Sequence, residues 1–281
     1  MTDREPFVAA CVQMRSGIDR ARNTTDACAL IAEAAGRGAT FVATPEMTNA
    51  VDRKADRLFA NLPEESGLTE IQAFADVAKS RRIWLLIGSV AVKVGERRAA
   101  NRSFLFAPDG STAARYDKIH MFDVNLPNGE NWKESNVYAT GDQSVVVEAP
   151  FAKLGLSICY DVRFPALYRK LAQAGAEVLC VPAAFTRQTG EAHWKTLLTA
   201  RAIENGAFVV APAQGGTHED GRENYGHSLI IGPWGMVLAE APGDEPGIIL
   251  AEINPAAAGE ARARIPNLAL EQSNKVTIVA P

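Results

Sequence analysis

Short runs of apolar residues alternate along the chain with stretches in which apolar residues recur at helical spacing. Such runs, when they lie between turn signals, predict strands, and the helical spacing predicts amphipathic helices. FVAACVQM at 7–14 therefore predicts a strand, residues 21–36 predict a helix that ends at glycines, and TFVATPEM at 40–47 predicts a second strand. The chain thus opens with a strand, a helix and a strand.

The same alternation continues to residue 253. A helix is predicted over 69–82, a buried strand over 83–92 and two strands around the Asp109-Gly110 turn, followed by a long loop over 123–143. The later predicted strands are 144–150, 154–158, 176–185, 207–214, a hairpin-like pair within 225–242, and 247–253, with helices to about 175 and from about 191 to 205. No linker-like segment interrupts this order, so we expect an α/β fold in a single domain over 1–281.

Two distant segments share one pattern. AAGRGATFVATPEM (34–47) and LAQAGAEVLCVPAAF (171–185) each contain an Ala-rich helix end, a glycine, a short apolar strand and a proline that ends the strand. The repetition indicates two related α/β layers in one sheeted core. Because ligands in open α/β sheets bind beyond the carboxyl ends of the strands, Glu46, Cys159 and residues 185–189 become candidate site residues.

Composition narrows the classes of partner. The 281 residues are 47% hydrophobic and carry a net charge of −4, so there is no basic surface of the kind that binds nucleic acid. No run of 18 apolar residues occurs, and the first thirteen residues lack the pattern of a signal peptide. We therefore expect a cytoplasmic protein with no membrane and no nucleic-acid partner.

The four cysteines have no C-x-x-C pair and no spacing typical of zinc ligands. Cys11, Cys28 and Cys180 lie in apolar or Ala-rich surroundings, where a free thiol packs as a small hydrophobic group. Only Cys159 is followed by a polar cluster, in LGLSICYDVRFP.

Cys159 lies where a predicted strand meets a predicted helix. Asp161 is expected to cap that helix, whose first turn accepts Pro165. A thiolate near a helix N-terminus is stabilised, so we expect a lowered pKa for the Cys159 thiol. A buried structural thiol and a nucleophile both fit this segment, and the neighbouring side chains must decide between them.

A nucleophilic thiol needs a base and a positive group near the developing oxyanion. The sequence leaves two types of base open. One is a histidine, because triad members need not be close in sequence; the four histidines are His120, His193, His218 and His227. The other is Glu46 in ATPEMTN, if burial raises its pKa toward neutrality. Lys118 in RYDKIHMFD offers the cation, and Glu134 offers a second carboxylate.

Glu46, Lys118 and Cys159, in this order and each at the end of a strand, resemble the nitrilase superfamily of carbon-nitrogen hydrolases over almost the whole chain. The likeness includes the segments YDKIHMFDV, GLSICYDVRFPALYR, GAEVLCVPAAF, TGEAHWKTLLTARAIEN and YGHSLIIGPWG. It is strongest to the Nit branch, which includes ω-amidases and deaminated glutathione amidases. The resemblance implies a four-layer α-β-β-α sandwich, a homodimer or higher homo-oligomer, and no cofactor.

The resemblance also implies a role for each site residue. Glu46 would take the proton of Cys159 as the sulfur attacks an amide carbonyl, and a thioester would result. Lys118 and the backbone N–H of Tyr160 would bind the oxyanion. Glu134 would hold Lys118 and the substrate in position.

The leading hypothesis is therefore hydrolysis of a small linear amide that carries a carboxylate, with release of ammonia. Arg187 and Arg163 are the candidate cations for that carboxylate. An N-carbamoyl amide hydrolase would use the same residues and stays as an alternative. A catalytically silent binding protein and a redox-sensing thiol protein are the alternatives from other classes.

Overall fold

The computed structural model describes residues 4–60, 62–127 and 129–279 of the chain. The single domain predicted over 1–281 therefore includes residues 1–3, 61, 128, 280 and 281, which lie outside the described residues. In chain order, the strands are β1 (Phe7–Gln13), β2 (Phe41–Ala43), β3 (Trp84–Gly95), β4 (Arg98–Phe106), β5 (Thr112–Asp117), β6 (Asp123–Asn125), β7 (Asn131–Lys133), β8 (Tyr138–Ala139), β9 (Val146–Glu148), β10 (Lys153–Leu156), β11 (Val178–Cys180), β12 (Phe208–Ala211), β13 (Gly215–Thr217), β14 (Glu223–Tyr225), β15 (Leu229–Ile231), β16 (Val237–Glu240) and β17 (Gly247–Ile253).

The helices begin and end near the predicted positions. They are α1 (Arg20–Gly36), α2 (Ala55–Ala60), α3 (Thr69–Arg81), α4 (Pro165–Gln173), α5 (Arg187–Asn205) and α6 (Ala256–Arg264). Short 3₁₀ turns occupy Glu65–Gly67, Glu134–Asn136 and Cys159–Arg163. The sequence pattern did not indicate α2 or α6, and α5 begins four residues earlier than expected.

The strands form two main sheets. In the first, the order is β17-β1-β2-β3-β4-β5, with β8 paired to β4. In the second, the order is β16-β15-β12-β11-β10-β9. The parallel pairs β1/β2 and β10/β11 each flank a helix, α1 or α4, so the repeated sequence pattern corresponds to one equivalent unit in each sheet.

Two apolar clusters hold the layers together. The first contains side chains from both sheets, such as Phe7, Phe41, Leu154 and Val178, and extends to α5 through Trp194. The second lies on the other face of the first sheet, where Ile31 of α1 and Phe74 of α3 pack. The layer order is thus helices, sheet, sheet, helices, and the expected four-layer α-β-β-α sandwich is confirmed.

Two local predictions are wrong. The loop predicted over 123–143 contains the β6/β7 hairpin, a 3₁₀ turn and β8. Asp161 does not cap α4, because Phe164 stands at the N-cap position and Pro165 is the first helical residue. The Asp161 carboxylate instead accepts hydrogen bonds from the backbone of Ile158 and from residues of another segment.

Candidate active site

Cys159 lies on a sharp turn that follows strand β10. Strand β10 ends at Leu156, and the 3₁₀ turn begins at Cys159 itself, whose φ of 50° is in the left-handed region. A non-glycine residue holds that conformation only where its surroundings enforce it. Here the Cys159 N–H donates to the carbonyl of Pro182 at 2.8 Å, which fixes the turn against the end of β11.

Glu46 reaches the same place from the first sheet. It follows β2 and Pro45, and the next residue, Met47, also has a positive φ, of 54°. The Glu46 Oε1 atom accepts from Lys118 Nζ at 2.9 Å, and its Oε2 atom accepts from the backbone N–H of Ala184 at 2.9 Å. The side-chain amide of Gln214 donates to the backbone carbonyls of Glu46 and Met47, and these hydrogen bonds hold the turn in place.

Lys118 follows β5, and only 2% of its surface is exposed. Its ammonium lies 2.9 Å from Glu46 Oε1, 3.0 Å from Glu134 Oε1 and 2.9 Å from Glu134 Oε2. A buried ammonium needs paired and hydrogen-bonded anions to offset its desolvation. The two carboxylates provide them, so a cation lies between two acids in a sheltered space.

Glu134 begins the 3₁₀ turn that follows the β6/β7 hairpin. In addition to Lys118, it accepts from the backbone N–H of Phe122 at 2.6 Å and from the side-chain amide of Asn101 at 3.2 Å. The same Asn101 amide donates to Glu46 at 2.9 Å. One amide therefore joins the two carboxylates through the same Oε1 atoms that Lys118 contacts.

The structure corrects the expected direction of the Glu46 pKa. Burial alone raises the pKa of Glu46, but the charge of Lys118 and the hydrogen bonds from Lys118, Cys159 and Asn101 together bring it below its ordinary value. Burial likewise lowers the pKa of Lys118, and the charges of Glu134 and Glu46 reverse that effect and raise it well above its ordinary value. The site thus contains an ionised base held against a permanent cation.

The pKa expected for Cys159 is also wrong. Burial, together with the negative charge of Glu46, raises the pKa of the Cys159 thiol well above its ordinary value. The resting group is therefore a neutral thiol that hydrogen-bonds to the Glu46 carboxylate. Such a thiol reacts only when a neighbouring base removes its proton in the same step, and Glu46 is in contact to do so.

The four histidines all lie elsewhere. The Nδ1 atom of His120 pairs with Asp161, that of His193 with Arg163, that of His218 with the carbonyl of Ser16, and that of His227 with the carbonyl of Tyr225. None of these histidines lines the cavity that contains Cys159. The geometry therefore favours Glu46 over a histidine as the base.

A cavity of about 390 Å³ opens onto Cys159, Glu46, Lys118 and Glu134. This volume is near the lower end of the range for small-molecule sites. The inner wall includes Tyr160, which follows the thiol directly, and the outer part includes Arg53, Trp132 and Arg222. The structure thus brings the four predicted polar residues and Tyr160 to one small cavity.

The two arginines predicted for the substrate carboxylate are not among the cavity-lining residues in the described part of the chain. Arg187 hydrogen-bonds to Asp244 at 2.6 Å and also faces Glu223 at 3.6 Å. The guanidinium of Arg163 lies over the rings of Tyr160 and Phe185, behind the cavity wall. The predicted substrate role of these two residues stays a prediction.

Sequence reasoning missed several residues at the site. Asn101 and the backbone N–H of Ala184 both hold Glu46, and Arg53, Trp132 and Arg222 line the outer cavity. Asn101 had no clear signal, because β4 also contains Arg98, Arg102 and Ser103, and only the structure shows that the Asn101 side chain is fully buried. The contact of Ala184 is made by backbone, so no residue type could reveal it.

The described residues contain neither a cluster of metal ligands nor a membrane-spanning helix. No group of three or more His, Cys, Asp and Glu side chains in the described ranges is placed to hold a metal ion. None of the helices described is both long enough and apolar enough to cross a membrane. The cysteines at 11, 28, 159 and 180 are all free thiols.

Comparison with known proteins gives consistent matches. A family model described as carbon-nitrogen hydrolase matches residues 8–263. The deaminated glutathione amidase of Synechocystis sp. is 42% identical over 94% of this chain and 97% of its own length. An omega-amidase of Mus musculus is 34% identical over 97% of each chain. The crystal structure of the NitFhit protein of C. elegans superimposes with a TM-score of 0.88 and 33% identity, covering 96% of this chain and 66% of that one.

Proposed function

The chain belongs to the carbon-nitrogen hydrolase family, and from this premise we propose that it is an amidase that hydrolyses a small linear, carboxylate-bearing amide through a thioester on Cys159. The products are ammonia and the corresponding acid. The observation that carries the proposal is the contact of a neutral thiol with an ionised, lysine-bound carboxylate at the base of a small cavity.

The first half of the reaction forms the thioester. Glu46 accepts the thiol proton while the Cys159 sulfur bonds to the amide carbon, and the carbonyl electrons move onto oxygen. Lys118 and the backbone N–H of Tyr160 stabilise this oxyanion, and the loss of one such donor typically reduces turnover about a hundred- to a thousandfold. The oxyanion then collapses, the carbon-nitrogen bond breaks, and the nitrogen leaves as ammonia with the proton from Glu46.

The second half releases the acid. Glu46, ionised again, accepts a proton from a water molecule as the water oxygen attacks the thioester carbon. Collapse of the second oxyanion breaks the carbon-sulfur bond, and the thiol regains its proton from Glu46. Glu134 and Asn101 hold Lys118 and Glu46 in position throughout.

The substrate class rests on the relatives and on the cavity. The relatives are a deaminated glutathione amidase and an omega-amidase, which favours a terminal amide on a linear chain for this protein too. The cavity of about 390 Å³ fits a small molecule. A redox-sensing role for Cys159 is disfavoured, because a buried thiol with a raised pKa oxidises slowly.

The test is to incubate the protein with succinamate, stop the reaction with acid and measure both ammonia and the intact mass. We expect ammonia release and a mass increase equal to the succinyl group, and neither with Cys159→Ala. Cys180→Ala is the matched control, because Cys180 is a fully buried packing thiol that is not among the described residues lining the cavity. Turnover of N-carbamoyl compounds alone would replace the amidase proposal with the carbamoyl hydrolase, and ammonia release by Cys159→Ala would overturn the mechanism.

We further propose that the protein is a cytoplasmic homodimer or higher homo-oligomer. Four free thiols are typical of a reducing compartment. Support for self-association comes from an exposed apolar patch that consists of Trp234, Met236 and Ile203. Gly235, which separates Trp234 from Met236, lies against Ile203, because a Cβ built on Gly235 would lie 2.6 Å from Ile203 Cδ1.

A further inference from the structure

Two arginines and a tryptophan form the outer part of the cavity. The guanidinium carbon of Arg53 lies 4.4 Å from the centroid of the Trp132 ring, and that of Arg222 lies 4.8 Å from it. All three residues line the cavity that contains Cys159. They come from three distant parts of the chain, so no local sequence pattern joins them.

Part of the hydrogen-bonding capacity of Arg222 is unused among the described residues. Its Nε atom is buried and has no hydrogen-bond partner among the described residues. Its nearest carboxylate oxygen, on Asp220, lies 3.7 Å from Nη2, which is beyond hydrogen-bonding distance. A buried donor without an acceptor costs free energy, so an acceptor supplied by a ligand would satisfy it.

Arg53 is also available to a ligand. Within the described ranges its guanidinium has no ion pair, and its contact is with the Trp132 ring. Arg187 provides the contrast, because its guanidinium is already held by Asp244 and Glu223. The outer cavity therefore offers two cations, and the carboxylates among its described lining residues have other partners: Asp52 is bound by Arg57, and Glu130 accepts from the ring N–H of Trp132.

The inner end of the cavity has the opposite character. Two carboxylates, Glu46 and Glu134, surround the single ammonium of Lys118, which leaves one net negative charge beside the thiol. The carboxylate of a substrate would be repelled by this net negative charge. A substrate with an amide at one end and a carboxylate at the other is therefore oriented with its amide at Cys159 and its carboxylate in the outer part.

We propose that Arg222, assisted by Arg53, is the anion subsite that binds the carboxylate of the amide substrate. This inference rests on the proposed function and deepens it. The guanidinium of Arg222 lines the cavity and carries its N–H donors in the planar arrangement that matches a carboxylate. Arg53 adds a second positive charge, and the Trp132 ring lies against both guanidiniums.

The experiment compares two substrates of nearly equal length. Succinamate carries a carboxylate where butyramide carries a methyl group, so the ratio of their kcat/KM values measures recognition of the carboxylate. Arg222→Gln is expected to lower kcat/KM for succinamate about 10- to 100-fold, mainly through KM, because a charge-assisted contact is lost. Its kcat/KM for butyramide is expected to stay within about threefold. Arg53→Gln is expected to cause a smaller loss with the same selectivity.

Three further variants make the result decisive. Arg22→Gln removes an exposed charge of α1 and is the control for net charge. Asp220→Asn removes the anion nearest to Arg222 and is expected to lower KM for succinamate, whereas a purely structural Arg222–Asp220 pair predicts equal damage to both substrates in both variants. Arg187→Gln tests whether Arg187, the other candidate cation, binds the substrate carboxylate instead.

The outcomes separate the two proposals. If Arg222→Gln keeps the wild-type preference for succinamate, or if only Arg187→Gln loses it, the subsite assignment is overturned while the amidase stands. If the wild-type protein hydrolyses neither compound, the proposed function itself fails. Unfolding curves and the rate of Cys159 alkylation establish that each variant is folded, and Arg222→Lys, which retains the charge, is expected to recover part of the succinamate activity.

Discussion

The carboxylate of Asp161 accepts two hydrogen bonds from His120, one from its backbone N–H at 3.0 Å and one from its ring Nδ1 at 2.7 Å. Its other oxygen accepts from the hydroxyl of Tyr116 at 2.7 Å and from the backbone N–H of Ile158 at 2.9 Å. Tyr116 and His120 are on either side of Lys118, and Ile158 precedes the nucleophile. The buried carboxylate of Asp161 thus joins residues 116–120, which include Lys118, to the turn at Cys159.

Asp161→Asn tests this connection. The amide cannot accept all four hydrogen bonds, so we expect the free energy of unfolding to fall by about 1–3 kcal/mol. We also expect kcat to fall more than KM changes, because the thiol and the ammonium lose their relative position. Urea unfolding and steady-state kinetics measure both effects. Asp26→Asn, at an exposed position on α1, should change neither; an unchanged kcat in Asp161→Asn would mean that the connection has no part in positioning.

The lowered pKa of Glu46 predicts how stability depends on pH. Because the folded protein holds this carboxyl below its ordinary value of 4.5, the unfolded chain binds more protons in the acid range. The contribution of Glu46 to stability is thus fully present above the unfolded pKa and is lost as the pH falls through the folded pKa. Wild-type protein and Glu46→Gln should therefore differ most near neutral pH.

Urea unfolding of both proteins between about pH 3 and pH 7 measures this difference. Within the titration window the difference should shrink by about 1 kcal/mol per pH unit as the solution becomes more acidic. A difference that grows toward low pH would contradict the direction of the pKa shift. The same Glu46→Gln variant should release no ammonia from succinamate at any pH.

Gly88 of β3 lies against the segments that follow β2 and β11. A Cβ built there would lie 2.1 Å from the Thr44 carbonyl and 2.4 Å from Pro182 Cβ. Gly88→Ala would push apart the segments that hold Glu46 and Cys159, so we expect a loss of about 1–3 kcal/mol in unfolding free energy together with reduced kcat. Gly259→Ala is the matched control, because open space surrounds that position in α6 and alanine favours the helix. Equal stability of the two variants would contradict the close approach.

The apolar patch of Trp234, Met236 and Ile203 predicts a change of assembly state. These side chains are 58%, 66% and 53% exposed in one chain, and exposed clusters of this kind mark association surfaces. Trp234→Glu should shift the molar mass measured by light scattering toward that of one chain. A wild-type protein that is already a monomer at micromolar concentration would overturn the proposed self-association.

The fold was largely predictable because its signals are local. Strands β1, β2 and β3 appear as apolar runs, β4 and β5 are indicated by the Asp109-Gly110 turn between them, and α1, α3 and α5 show helical spacing. The parts that were missed have weaker local signals. The β6/β7 hairpin has three-residue strands in a polar segment, and α2 has six residues and no buried side chain.

The candidate site was predictable in its residues and less so in its energetics. The sequence predicts Glu46, Lys118, Glu134 and Cys159 as site residues, and the structure brings all four to one cavity. The pKa directions expected for Glu46 and Cys159 were wrong, since each depends on charges that approach from other segments. The cavity cations Arg53 and Arg222 were missed for the same reason.

The sequence by itself determined the order of strands and helices and the residue types that can perform thiol chemistry, because apolar periodicity and side-chain chemistry are properties of neighbouring residues. Only the tertiary structure decided that Lys118 lies between Glu46 and Glu134, that Cys159 rests as a thiol and that Arg222 faces the cavity. Coulombic and desolvation energies depend on distances through space, and those distances exist only after the two sheets have packed against each other.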